Sequence, residues 1–325
     1  MDTTKPISSI SVCGEMTLNL HSLNNEGGEG NQIMTRQLTI VDKNGEEDTV
    51  TGISGDMFKH IHAAHMLNYC VENNIPLSEY SKLLNPNRIK AEDLKDEAGD
   101  EKNTQADVID AMIKKCAICD AHGVLITDKV GNNKSSTNTP RKSVIEFAWT
   151  VGIPGKNNTE TYVHTKLVAD AGSKGSATSS NEGQNIFHRP ANHGVYAFVC
   201  NIDTYRIGLN DINRDYSIEK EERVKRYKAV VFSLLNSLLN PKGAMTSSQK
   251  PHITDFKGVV AVSHNMIPAP TISAINDNYI GEINKIAKNL NTIMPDSIEV
   301  SEFAGFGKLT EIFAELLKAE PYKIG

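Results

Sequence analysis

Residues 7–20 alternate in character: Ile10, Val12, Gly14, Met16, Leu18 and Leu20 fall on one side, Ser9, Ser11, Glu15, Thr17 and Asn19 on the other. A period of two over this length predicts a long, half-buried strand. The glycine-rich run Asn24–Asn31 predicts a flexible loop. Leu38, Ile40 and Val41 and then Thr49–Ile53 flank Asp42-Lys43-Asn44-Gly45, and Asn-Gly favours a tight hairpin. The pattern then changes. Ser54 is suited to cap a helix running to Asn73–Asn74, with Met57, Ile61, Ala64 and Val71 assigned to the buried face and Pro76 closing it.

Leu77–Glu101 is polar and acid-rich, which predicts an irregular or short-helical excursion outside the core, and Ala106–Lys115 reads as a helix. Val144–Ile153 has strand character and holds the single tryptophan, Trp149. Asp170–Gln184, rich in Gly, Ser and Ala, has neither period and is expected as a mobile loop or hairpin tip. Gly194–Ile207 is apolar on both sides, as in a central strand. Glu219–Leu239 is the strongest helical pattern: Val224, Tyr227, Val231, Leu234, Leu235 and Leu238 form its stripe, with Arg223, Lys225, Arg226 and Lys228 at its open end. Val259–Ser263 reads as a short buried strand and Thr310–Lys318 as a last amphipathic helix. Without the excursions the order is strand, helix, strand, strand, helix, strand. That is the split βαβ, ferredoxin-like layout to which the RNA-recognition (RRM-like) fold belongs, and it predicts an α+β domain over residues 1–325. The layout alone does not set a function.

Of the 325 residues, 39% are hydrophobic and 23% charged, and the net charge is -6. This excludes a protein that coats nucleic acid through bulk positive charge, so any such surface must be a local patch. Five scattered cysteines fit a reducing compartment better than a disulfide framework. No apolar run reaches membrane-spanning length and none of signal-peptide type follows Lys5, so the expectation is a cytoplasmic protein with no membrane partner.

Candidate chemistry is sparse. Cys116-x-x-Cys119 with His122 gives at most three of the four ligands of a structural zinc site, and a fourth would have to come from His65 or Cys70. The simpler reading is a helix end with buried thiols. His62 and His65 lie three apart without a His-Glu-x-x-His pattern, and no P-loop, nucleophile elbow or dinucleotide fingerprint occurs. No nucleophile and base pair up, so the expectation is a protein that is not an enzyme and needs neither metal nor cofactor. The start of the first helix is different. Its free N–H groups, with Lys59 and His60 one turn in, make an anion site, although Asp56 opposes one. Basic loops occur at Thr35-Arg36, Pro140-Arg141-Lys142 and Pro241–Pro251, and Phe187-His188-Arg189 sets an aromatic beside two basic groups. Such residues hold phosphates without reading bases, and an aromatic can wedge between bases.

Four segments together resemble a known family. They are the first strand running into a glycine-rich loop with Asn31, Thr35 and Arg36; Ile53–His60; Ile186–Phe198; and Val224–Leu239 followed by Gly243 and Ser247–Lys250. In this order they resemble the backbone subunit of type I CRISPR Cascade complexes, the DevR-type branch of the CRISPR-associated "Cas seven" superfamily. The resemblance implies an RRM-like palm with a helical fingers insertion, about 77–142, and a thumb β-hairpin, about 164–194. It implies a subunit that stacks head to tail along CRISPR RNA and kinks it with the thumb. Its partners would be the guide, the target DNA strand and the large, small and guide-end-capping subunits. Ser54, Gly55, Lys59 and His60 match the element that faces the guide, and Arg36, Arg141, Lys142, Gln184, His188, Arg189, Ser247, Ser248 and Lys250 extend the match. The family's second cation near the helix start has no evident counterpart, since His60 is only partly charged at neutral pH. Two alternatives stay open. One is cleavage of target RNA by a loop aspartate (Asp42, Asp48 or Asp170), as in related type III backbones. The other is a regulator that binds duplex DNA.

Overall fold

Strand β1 (Ser9–His21) runs through the middle of an antiparallel sheet, with a long strand on either side. The computed structural model describes residues 2–94, 104–128, 130, 138–167 and 184–325. Two short hairpins follow β1: β2 (Asn25–Glu29) with β3 (Gln32–Thr35), and β4 (Gln37–Val41) with β5 (Glu47–Ile53). The glycine-rich run expected as a loop is thus the first of these hairpins, because Gly27 and Gly30 adopt the positive φ angles its bends require. Helix α1 (Gly55–Glu72) comes next, then α2 (Glu79–Lys82), α3 (Gln105–Lys115) and α4 (Ala117–His122). Strands β6 (Val124–Ile126) and β7 (Thr139–Arg141) form a separate pair. β8 (Ile145–Phe147), β9 (Thr150–Leu167) and β10 (Gln184–Ile202) return to the main sheet. The chain ends with α5 (Lys220–Leu239), β11 (His252–Ser263), α6 (Tyr279–Ile293), β12 (Ile298–Ala304) and α7 (Gly305–Leu316).

The main path of the sheet is β12-β11-β1-β10-β9-β5-β4, and its principal pairings are antiparallel. One face carries Ile10, Val12, Met16 and Leu18 of β1 with Tyr196 and Phe198 of β10, covered by α1, α5 and α7. Fully burying each such large apolar side chain contributes about 1.5–3 kcal/mol. The inserted segment joins this same core through Ile89, Ala91 and Leu94, against the expectation that residues 77–101 lie outside it. The α1 face is also turned relative to expectation. Phe58, Ile61, His62, Met66 and Cys70 are buried, whereas Val71 is 60% exposed.

The other sheet face is closed too. Cys13, Ala197, Val259 and Ala261 pack under Ala269, Ala274, Tyr279 and Ile283. β1 is therefore buried on both sides over residues 9–14, not half-buried. Its polar residues are satisfied by the covering loop: Ser9 Oγ accepts from the Ala269 N–H at 3.0 Å, and Ser11 Oγ lies 3.0 Å from Thr271 Oγ1. β9 and β10 continue past the sheet as a paired arm, from Asn157 opposite Gly194 out to Leu167 opposite Gln184. Residues 168–183, where the hairpin tip is expected, lie outside the described residues. No described helix is long and apolar enough to cross a membrane.

Candidate nucleic-acid interface

Ser54 caps α1: its Oγ accepts from the Met57 N–H at 3.1 Å, and its own N–H donates to Asn24 Oδ1 at 2.6 Å. A Cβ on Gly55 would stand 2.4 Å from the Phe147 carbonyl oxygen, so this glycine admits the β8 backbone and not a partner chain. Lys59, one turn further, is half-buried, and burial lowers its pKa, with Arg88 adding to the effect while Asp56 and Glu146 oppose it. A pocket of about 430 Å³ opens beside Lys59, lined also by Gly55, Lys142, Phe147 and Trp149. Lys142 is exposed and pairs with Glu146 at 2.8 Å. Arg36 lies 5.3 Å above the Trp149 ring, which is 40% exposed, and pairs with Glu26 at 3.0 Å. Arg36, Lys59 and Lys142, distant in sequence, thus meet around one tryptophan.

A second group adjoins the first. Leu23, next to Asn24, accepts from the Ala244 N–H at 3.0 Å, and a Cβ on Gly243 would come within 2.7 Å of the same carbonyl oxygen. His65 of α1 bonds the Asn240 carbonyl at 3.0 Å. The loop 240–251 is therefore seated beside the start of α1. At its far side Gln249 Nε2 donates to the Pro190 carbonyl at 2.9 Å, and Arg189 reaches Ser248 Oγ at 3.5 Å. Ser247, Ser248 and Lys250 are exposed. Arg189 lies 4.7 Å over the Phe187 ring, which stacks on His164 at 5.8 Å. The His188 N–H donates to the Asn31 carbonyl at 2.8 Å, so β3 braces the arm there. Gln184 pairs with Leu167 at the last described rung. The start of α1 and the β9–β10 arm are thus joined through the 240–251 loop: Ser54 bonds Asn24, Leu23 bonds Ala244, Gln249 bonds Pro190 and Arg189 reaches Ser248.

Arg141 does not belong to this group. Its side chain is fully buried, donating to Asp120 at 2.7 Å, Asp211 at 2.6 Å and the carbonyls of Leu209 and Arg206 at 2.7 and 2.8 Å. A buried guanidinium needs this many partners, and none of it is left to face a ligand. Asp120 is the hub of the network: it also accepts from the Gly208 N–H at 2.9 Å and from Arg226 at 3.3 Å. Arg226 and Arg223 are accordingly turned into the fold, not outward from the open end of α5; Arg223 bonds the carbonyls of Ile207 and Tyr322, both at 2.9 Å. Sequence reading missed Asp120, whose only local sign is an acid inside an otherwise apolar helix.

The cysteine motif closes on itself. Cys116 Sγ accepts from the Cys119 N–H at 3.3 Å and lies 3.1 Å from Ser81 Oγ. His122 turns away to bond His62 Nδ1 at 2.9 Å, while His62 Nε2 donates to the Val230 carbonyl. Asp42 is held by its turn, accepting from the N–H groups of Asn44 and Glu46 at 2.8 and 3.0 Å. Asp48 is exposed on β5, and Asp170 lies outside the described residues.

An antiparallel sheet with helices on both faces defines an α+β protein. The family model for "CRISPR-associated negative auto-regulator DevR/Csa2" matches residues 12–284, and the chain belongs to that family. It is 23% identical over 321 residues to "CRISPR-associated protein Cas7/Cst2/DevR" of Methanocaldococcus jannaschii, covering 94% of this chain and 97% of the relative. Among solved structures, a chain of "CRISPR RNA-guided surveillance complex, pre-nicking" aligns over 98% of this chain and 96% of its own length, with a TM-score of 0.50 and 12% identity, a likeness of fold.

Proposed function

We propose that this protein is a non-catalytic, guide-RNA-binding backbone subunit of a type I CRISPR surveillance complex in antiviral defence. Copies of it would polymerise head to tail along the guide and hold it by phosphate and sugar. The observation that carries the reading is the contact chain Ser54–Asn24–Leu23–Ala244, continued by Gln249–Pro190 and Arg189–Ser248, which joins the capped start of α1 to the hydroxyls of the 247–250 segment and to Arg189 on the arm. The order β11-β1-β10-β9, with α1 and α5 on one face, supports an RRM-like palm. On this reading the β9–β10 arm is the thumb and the helical segment 77–142 the fingers. The guide, the target DNA strand and the other Cascade subunits are the partners. The solved chain of similar fold is itself part of an RNA-guided surveillance complex, which points the same way.

Purification from a host expressing a CRISPR array tests the proposal: the protein should carry RNA of one discrete length that survives nuclease. Recovery of heterogeneous RNA, or none, counts against it. Incubating that complex with complementary RNA and Mg²⁺ should leave the RNA intact; regularly spaced fragments would replace the scaffold reading with an enzymatic one.

A further inference from the structure

Two of the five cysteines are unlike the rest. Cys13, Cys70 and Cys200 are thiols whose pKa values burial raises, Cys70 to about 12. Burial acts on Cys116 in the same sense, but the Cys119 thiol, Ser81 and the Ser78 and Cys119 N–H groups outweigh it and lower the Cys116 pKa to about 5. Burial takes Cys119 well above its usual value, and its bond to Cys116 adds to the effect. One sulfur of the pair is therefore a thiolate near neutral pH, while its neighbour keeps a proton.

The two are also placed to join. Cys116 stands just ahead of α4 and Cys119 in its first turn, and the Cys119 N–H meets the Cys116 sulfur at 3.3 Å. Residues three apart at a helix start are neighbours, which suits the close approach a disulfide needs. Ser81 Oγ of α2 lies 3.1 Å from the Cys116 sulfur and 3.7 Å from that of Cys119. Arg88, whose Nη1 donates to the Gly123 carbonyl at 2.8 Å, is the neighbouring cation, and Cys119 and Cys116 act on it more strongly than Asp56 does. Ser81, Arg88 and Ile118 line a pocket of about 290 Å³ between α1 and the segment 78–88. Ser81 thus touches this pocket on one side and both sulfurs on the other.

We propose that Cys116 and Cys119 form an oxidisable dithiol, which closes to an intramolecular disulfide when a hydroperoxide enters by the pocket beside Ser81. The Cys116 thiolate attacks one peroxide oxygen, the O–O bond breaks, and the other oxygen leaves as hydroxide, or as alkoxide from an organic peroxide. Cys116 is then a sulfenic acid. The Cys119 sulfur attacks the Cys116 sulfur, the S–O bond breaks, and the oxygen leaves as water with the Cys119 proton. The two cysteines give up two electrons and the peroxide takes them. A thiol reductant reverses the step, so the bridge is transient in a reducing compartment. None of this depends on guide binding.

The test treats the full-length protein, reduced and then freed of reductant, with hydrogen peroxide. Samples are quenched in urea with an alkylating reagent and digested with trypsin. Lys115 and Lys129 place both cysteines on one tryptic peptide. That peptide should lose two hydrogen atoms and take up no alkyl group, about tenfold faster than Cys13, Cys70 or Cys200 is consumed. Dithiothreitol should restore both thiols. Closure should also be faster in the folded protein than in the urea-unfolded chain. Cys119→Ser should stop at a sulfenic acid on Cys116, trapped by dimedone, whereas Cys116→Ser should leave Cys119 as slow as the other three. Should a serine variant not fold, the wild-type rates decide alone. Consumption of Cys116 and Cys119 no faster than that of Cys13 and Cys200, or a bridge from Cys116 to Cys70, overturns the proposal. Faster closure in urea overturns it too, since the fold would then shield the pair.

Discussion

Removing the Arg141 side chain would leave Asp120, 1% exposed, with Arg226 and one backbone N–H as its partners among the described residues. Breaking a buried ion pair in this way costs about 3–5 kcal/mol. Arg141→Ala should therefore lower the urea midpoint sharply. Lys142→Ala, one residue on, should stay within about 0.5 kcal/mol of wild type and weaken guide binding instead. Urea unfolding of both variants, with RNA affinity at fixed salt, checks this; equal stability losses would refute the assignment. As sequence the two residues look alike, a basic pair beside a proline. Nothing local in Pro140-Arg141-Lys142 says which cation meets a buried acid from α4, so this part of the site was not legible. Ser54 was, because capping is decided within four residues. Gly55 was not: its bare Cα answers the Phe147 carbonyl, which nothing in the neighbouring sequence announces.

Among the elements, the β9–β10 arm is where secondary structure and the proposed binding chemistry coincide. Tyr162 opposite Arg189 and His164 opposite Phe187 lie on one face, whereas Val163 opposite His188 lies on the other. The first face is an aromatic and cationic strip that ends against Ser248. An aromatic platform is worth about 1–3 kcal/mol per stacked base. Phe187→Ala should thus weaken guide binding by about that much while leaving the melting temperature nearly unchanged, since the side chain is not fully buried. A large stability loss with affinity intact would show that the strip serves the fold. β1, α1, β10 and α5 were legible because their periods persist over many residues. α6 was missed although Tyr279, Ile283 and Ala287 recur every fourth position. β12 was missed because a short edge strand of mixed burial has no clean alternation. The burial of both faces of β1 was not readable at all, since the cover comes from residues far along the chain.

For the whole molecule, acid sensitivity follows from where the histidines sit. Burial lowers His21 to about 3 and His62 to about 4, and takes His122 well below its ordinary value, with His62 contributing. All three are neutral in the fold, and the unfolded chain takes up their protons near the ordinary value of 6.5. The folded state therefore keeps its full stability above that value and loses it as pH falls from about 6.5 towards 4. At pH 5 each such histidine costs about 2 kcal/mol. Urea midpoints should fall between pH 7.5 and 5, a window above most carboxylate titrations. A flat profile there would mean that these histidines are not shut away from solvent.

The closed second face of the sheet has a consequence for what the molecule can discriminate. A sheet with one bare side can lay bases flat against its strands and tell them apart; here the 265–278 loop and α6 occupy that side. Only the rim is left to meet a polymer, and what a rim of hydroxyls and cations meets is the repeating part of the strand. Guides of equal length but shuffled letters should bind alike, all loosening together as salt rises. On the guide-binding role proposed above, such indifference to spelling would let one gene product serve a memory whose contents keep changing.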